Sequence, residues 1–237
     1  CANPIITETS SYYVRVCTLD SYSGYAAAVY AYERLGAKSV SVLKKEGDDY
    51  NDALIKAFTA KMKSYTGSDF SVNLVEYPPD TEDFSEYIFQ ASTTDSGVIY
   101  FPCAPEEAIG VIRQAAEEDY SFTWLGSSSW QTLDTVDPSY AENGETFLNG
   151  ICYVADLSLE TSSQTEAAQL LREAYAQAHG EGAEPSYQTA LGFDAYLLAL
   201  QAMELAGTSS DTLAISKSLY NVYGLEGASG TLSLDSN

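Results

Sequence analysis

Between Gly24 and Gly126, short strand-like segments and helical segments follow one another in strict alternation, and this constrains the fold more than any other feature of the sequence. Tyr25–Leu35 has helical content and stops at Gly36, a natural C-terminal stop. Ser39–Leu43 is short and rich in β-branched residues, as a buried strand should be. Asn51–Tyr65 sets Leu54, Ile55, Phe58 and Met62 on one helical stripe. Phe70–Val75 alternates like a strand, Phe84–Ala91 reads as a short helix behind Asp83, and Val98–Phe101 is again a strand. Pro105–Glu118 is a helix with proline in its first turn and Glu106 and Glu107 just inside, and Phe122–Leu125 closes the series. Strands separated by helices of this length pair in parallel through right-handed crossovers. The expected class is therefore α/β, with a doubly wound parallel sheet. Ligands of such sheets sit at the carboxyl ends of the strands. Here those ends are Lys44–Tyr50, Tyr77–Asp83, Pro102–Pro105 and Gly126–Trp130.

The second half of the chain reads differently. Gly150–Ala155 is one strand, followed by helical stretches at Gln164–Ala178, Tyr187–Ala206 and Asp211–Tyr220, and then a final strand at Thr231–Leu234. Ala190–Ala206 is the most apolar stretch, but it carries Asp194 and Glu204 and reads as a buried helix rather than a membrane span. These helices need a sheet to cover, and this half of the sequence does not supply one.

Charge and motifs narrow the function. Acidic residues number 34 against 11 basic ones, a formal charge of -23. Phosphate binding needs clustered Lys and Arg, so a nucleic-acid partner is not expected, and neither is docking on an anionic membrane. Cys1, Cys17, Cys103 and Cys152 show no CxxC spacing, so neither a zinc site nor a redox motif is expected. GxGxxG, P-loop, HExxH and GxSxG motifs are all missing, and no cofactor, metal or catalytic residue is assigned. The sole histidine, His179, stands at a helix end beside Gly180, where it caps rather than catalyses. Of the aromatic residues, 19 are tyrosine, a side chain suited to lining a small-molecule cleft.

Several segments, taken in order, resemble the type I periplasmic binding proteins, and most nearly the leucine/isoleucine/valine-binding receptors of ABC transporters. They are Asn3-Pro4, YVRVCTLD at Tyr13–Asp20, Ser23-Gly24 with the helix and strand after it, GDDYN at Gly47–Asn51, Asp83-Phe84-Ser85, the helix after Pro105-Glu106, WLGSSSW at Trp124–Trp130, ALGFDAY at Ala190–Tyr196 and LEGASGTLSLD at Leu225–Asp235. The resemblance implies two Rossmann-like lobes that close on a solute, with chain crossings near Leu19–Ser21, Tyr153–Leu157 and Leu225–Ser229. Residues 21–152 plus 228–237 would form the second, C-terminal ligand-binding lobe, complete or nearly so. Residues 1–20 plus 153–227 would form a partial first lobe, mainly helices. The expectation is a fragment that lacks the N-terminal part of the first lobe, with Cys1 an internal position rather than a lipid-bearing one.

The resemblance also implies a set of ligand-binding residues: Asp20 at the first crossing, Tyr50 as an aromatic cover, Cys103 and Ala104 in a loop where relatives carry tyrosine, Ser128, and Trp130 just beyond it. Amino-acid-binding relatives place an acid at the position of Ser128 to pair with the ligand's ammonium group. A buried ammonium without an anion is costly. Either Asp20, Glu106 or another acid compensates, or the ligand is another small polar or aromatic solute. The expected role is that of an extracytoplasmic binding component of an ABC importer, periplasmic or secreted and membrane-anchored, with a membrane permease as partner. The alternatives are a ligand-sensing domain of a signalling receptor with the same fold and, less favoured, a flavodoxin-like enzyme.

Overall fold

The structure, a computed structural model, describes residues 5–67, 70–133, 148, 150–155 and 165–234. Two compact units divide the chain: Leu19–Ala155 is one, and Cys1–Thr18 with Asp156–Asn237 is the other. The closing strand, expected with residues 21–152, instead lies in the unit formed by the chain's two ends.

The Leu19–Ala155 unit is a parallel α/β sheet. Its elements are α2 (Asp20–Glu33), β1 (Ser39–Lys45), α3 (Asp49–Thr66), β2 (Ser71–Tyr77), α4 (Ser85–Ala91), β3 (Val98–Tyr100), α5 (Pro105–Glu117), β4 (Thr123–Gly126) and β5 (Cys152–Tyr153). The strands form one five-stranded sheet in the order β2-β1-β3-β4-β5, and each pairing is parallel. Both faces are covered, which is why Val98–Tyr100 is buried throughout. On one face Val40, Val42, Tyr100 and Leu125 pack with Ala27, Ala28, Ala31, Phe58 and Met62 of α2 and α3. On the other, Leu43, Val75, Ile99 and Phe101 pack with Ile88 of α4 and with Ile109, Val111 and Ile112 of α5. Neighbours in sequence thus point to opposite faces, as the pleat requires.

Two local features depart from the sequence reading. Helix α2 begins at Asp20, five residues before the expected start, and so takes Gly24 into its interior. A Cβ at Gly24 would lie 2.3 Å from the Leu54 carbonyl oxygen, so glycine is what lets α2 approach α3. Ser41 is the one polar side chain in the middle of β1. Its hydroxyl donates to the Ala91 carbonyl at 2.6 Å and accepts from Asn73 Nδ2 at 3.3 Å. It thereby serves the C-terminal carbonyls of α4, which have no intrahelical partner.

The other unit contains α1 (Ile5–Glu8), α6 (Glu166–His179), α7 (Tyr187–Ala206), α8 (Thr212–Leu219) and an antiparallel hairpin of β6 (Leu225–Gly227) with β7 (Gly230–Leu232). Its three longer helices carry side-chain caps at their starts. Thr165 Oγ1 accepts from Ala168 N at 3.0 Å, Ser186 Oγ from Thr189 N at 3.2 Å, and the Asp211 carboxylate from Ala214 N at 3.0 Å. Gly207 stops α7 in the left-handed conformation, with φ 66°. Helix α7 is not buried on all sides as expected. Ala190, Asp194, Leu198 and Ala202 form its buried stripe, while Tyr196, Leu200 and Leu205 are exposed.

Candidate functional site

The sheet order reverses direction between β1 and β3. From β1 the chain moves outward to β2, then returns across β1 to β3 and continues to β4 and β5. Such a reversal splays the crossover helices apart and leaves a crevice at the carboxyl ends of the strands. Helices that follow parallel strands begin at this same edge. The starts of α3 and α5 therefore bring Tyr50 and Ala104 to one end of the sheet, and Asp20 opens α2, the helix that leads into β1. The loop after β4 adds Ser128 and Trp130. The side chain of Tyr50 and the whole of Cys1 lie outside the described residues.

The β3 and β4 loops are bolted together at the Cys103 carbonyl. It accepts from Trp130 Nε1 at 3.2 Å and from Ser129 Oγ at 2.9 Å, and Ser129 Oγ lies 2.9 Å from Ser127 Oγ. Trp130, 1% exposed, lies across Gly126 so closely that a Cβ there would stand 2.1 Å from the indole ring. Trp130 and the Cys103 thiol both point into the core, so these two residues shape the edge rather than line it with their side chains. Burial, and then the nearby Glu107 carboxylate, push the Cys103 thiol well above its ordinary pKa. Ala104 is exposed and Ser128 half-buried. Ala104 is the N-cap of α5 and provides no side-chain cap.

Charged groups crowd the β1 side of this edge. Lys45 pairs with Glu107 at 3.3 Å, and Lys44 pairs with Asp52 at 2.6 Å and Glu76 at 2.9 Å. Tyr77, opposite Lys45 in the ladder, is 1% exposed. Its hydroxyl stands near Glu107 without a hydrogen bond of ordinary geometry. Burial first, then Cys103 and Glu107, push its phenol far above the usual range. Lys45, Tyr77 and Glu107 were not among the expected site residues, although Lys45 and Tyr77 fell in strand-end loops and Glu107 in the first turn of the helix after β3. Farther round the edge, Asp83 accepts from the Ser85 hydroxyl, the Ser85 backbone N–H and Gln114 Nε2, and these bonds lower its pKa to about 2.

Among the described residues, no group of His, Cys, Asp and Glu is arranged to hold a metal, and no helix is long and apolar enough to cross a membrane. Cys17, Cys103 and Cys152 are not disulfide-bonded. His179 packs against Tyr175 at 4.2 Å between ring centroids, the rings tilted by 34°, within the last turn of α6.

Residues 4–237 match the family described as periplasmic binding protein. A leucine-binding protein from Thermotoga maritima superposes with a TM-score of 0.82 at 28% identity, over 99% of this chain and 64% of its own. A branched-chain amino acid transporter substrate-binding protein from Streptococcus pneumoniae, in complex with isoleucine, gives 0.77 at 21% identity, over 99% of this chain and 63% of its own. An ABC transporter substrate-binding protein from Desulfitobacterium hafniense, in complex with Leu, gives 0.73 at 17% identity, over 99% and 64%. The chain thus spans slightly less than two thirds of the length of these structures. They are binding proteins, not enzymes. No curated protein matches the sequence.

Proposed function

The chain belongs to the periplasmic-binding-protein family, and on that premise we propose that it serves as the extracytoplasmic solute-binding component of an ABC importer. The solute is an amino acid or a related small polar or aromatic compound. It binds at the carboxyl edge of the parallel sheet, where Asp20, Tyr50, Ala104 and Ser128 face it and Cys103 and Trp130 support them. The solute-bound form of the whole protein is what a membrane permease reads, the binding energy having shifted it to the closed state.

The observation that carries this reading is the reversal of strand order between β1 and β3, with the capless start of α5 at the same edge. A free helix start and a switch-point crevice together make a receptive surface for a small polar molecule. The Leu- and Ile-bound structures with the same fold favour an amino acid over other solutes.

Melting in the presence of a panel of amino acids, aromatic acids and amides tests it. A true ligand in hundredfold excess over its dissociation constant adds about 2.7 kcal/mol of stability, and the transition should rise accordingly. A flat response across the panel would remove the proposal.

A further inference from the structure

Lys44 and Lys45 end β1 side by side but are held differently. Lys44 Nζ meets Asp52 at 2.6 Å and Glu76 at 2.9 Å, the spacing of firm charge-assisted bonds, and its side chain is 14% exposed. Lys45 Nζ approaches the two carboxylate oxygens of Glu107 only to 3.3 and 3.4 Å, and its side chain is 32% exposed. A pair this long and this open to solvent contributes little to the fold. Lys45 is the last residue of β1, and Glu107 lies in the first turn of α5, which follows β3. The pair therefore spans the reversal of strand order.

Glu107 has a second partner close by. The Tyr77 hydroxyl stands beside it, buried and without a hydrogen bond. A phenol left in that state costs more than a half-open ion pair returns. A small turn of the Glu107 side chain would let the hydroxyl donate to its carboxylate, and Lys45 would then be released. The hydroxyl itself is closed to solvent and is not a solute contact. This asymmetry selects the sign of the solute group. A cation that took Glu107 would strip Lys45 of its partner and leave the phenol unsatisfied. A carboxylate that took Lys45 would release Glu107 to the phenol and satisfy all three groups. The start of α5, which has no side-chain cap, adds its first N–H groups to the same preference for an anion. Ser128, on the loop after β4, brings no negative charge to oppose it.

We infer that Lys45 takes the carboxylate of the solute, and that Glu107 leaves it to accept from the Tyr77 hydroxyl. The inference rests on the reading of the preceding subsection and narrows it to carboxylate-bearing solutes. Lys45 touches the solute, whereas Tyr77 is a positioning residue that acts through Glu107.

Titration calorimetry on the whole chain tests the exchange with matched pairs of probes: L-leucine and L-leucinamide, L-phenylalanine and L-phenylalaninamide, phenylacetate and phenylacetamide. Within each pair a neutral amide replaces the carboxylate. The proteins are the wild type, Lys45→Met, Glu107→Gln and Tyr77→Phe, each checked for folding by circular dichroism. The wild type should bind an acid at least about tenfold more tightly than its amide, and Lys45→Met should abolish that difference by weakening the acid alone. Glu107→Gln removes the charge that competes for Lys45 and should tighten the acid. Tyr77→Phe should raise the melting transition of the free protein, because the unsatisfied hydroxyl is gone, and yet weaken the acid severalfold. A purely structural role for Tyr77 would not give that combination. The subsite is overturned if the amides bind as tightly as the acids, if folded Lys45→Met binds the acid unchanged, if Glu107→Gln weakens it, or if Tyr77→Phe leaves it unaffected. If none of the six probes binds the wild type, the subsite falls and the wider melting panel decides the transport reading by itself. A panel solute without a carboxylate that raises the melting transition would leave the transport reading standing and remove this subsite alone.

Discussion

Replacing Gly126 with alanine is expected to destabilise the Leu19–Ala155 unit by about 3 kcal/mol, a severe effect for one added methyl group. The new Cβ would stand 2.1 Å from Trp130 Cδ2, 2.3 Å from Cε3 and 2.5 Å from Cε2. These atoms belong to a rigid ring, not to a flexible chain end, so either the indole leaves its site or the backbone of β4 shifts. If the indole leaves, the bond from Trp130 Nε1 to the Cys103 carbonyl is lost and the β3 and β4 loops are no longer held together. Trp130 also packs edge-on against Phe101 at 6.4 Å, so the disturbance reaches β3. Equilibrium denaturation measures the loss, and tryptophan emission, from just two residues, should shift to the red as Trp130 meets water. The control is the double variant with Trp130→Ala. If the clash is the cause, Gly126→Ala adds almost nothing once the ring is gone, because contacting residues couple. Full additivity would mean that the glycine matters for another reason.

Asp194→Ala should be comparably damaging to the other unit, also at about 3 kcal/mol. Asp194 lies in the middle of α7 with 0% exposure. Its carboxylate accepts from Ala228 N at 2.5 Å, from Ser229 N at 2.9 Å and from the Ser229 hydroxyl, and so holds the β6–β7 turn against α7. Truncation strands two backbone N–H groups beside a new cavity. Gly227 shows how tightly the turn is drawn in: a Cβ there would lie 2.6 Å from Asp194 Oδ1. Thr165 Oγ1 donates to the Gly227 carbonyl at 2.9 Å, which ties the start of α6 to the same turn. Asp194→Asn keeps one acceptor and should lose about half as much. Denaturation together with hydrogen exchange at residues 225–232 checks both. A change within about 0.5 kcal/mol for Asp194→Ala would mean that the turn is held by packing of Ala228 with Ala168, Leu171 and Ala190 instead.

Asp194 also shows where reading a sequence stops. It stands out as a polar interruption of an apolar helix, but nothing local says that its partners lie 34 and 35 residues onward. The strand–helix alternation was legible because the apolar period switches between two and 3.6 along the chain, and the end of Tyr187–Ala206 was marked by Gly207. The start of α2 was missed because Ser23-Gly24 looks like a turn. Its helical purpose, a close approach to Leu54, depends on a helix that comes 30 residues later. The carboxyl-edge loops followed from topology alone. Their inner construction did not, since the pairing of Trp130 with the Cys103 carbonyl and of Lys45 with Glu107 spans 27 and 62 residues. Tyr77 was hidden for another reason: a tyrosine at the end of a strand is ordinary, and only a buried hydroxyl without a partner makes it conspicuous.

The position of the solute is the claim from which everything else follows, and hydrogen–deuterium exchange with the solute that most raises the melting transition reads it directly. Protection should appear in backbone amides at residues 46–51, 101–107 and 126–131, the carboxyl-end loops of β1, β3 and β4, while the opposite-edge loops at 34–38 and 119–122 exchange as before. Protection confined to those opposite-edge loops, or spread over the helices with none at the carboxyl ends, would contradict it.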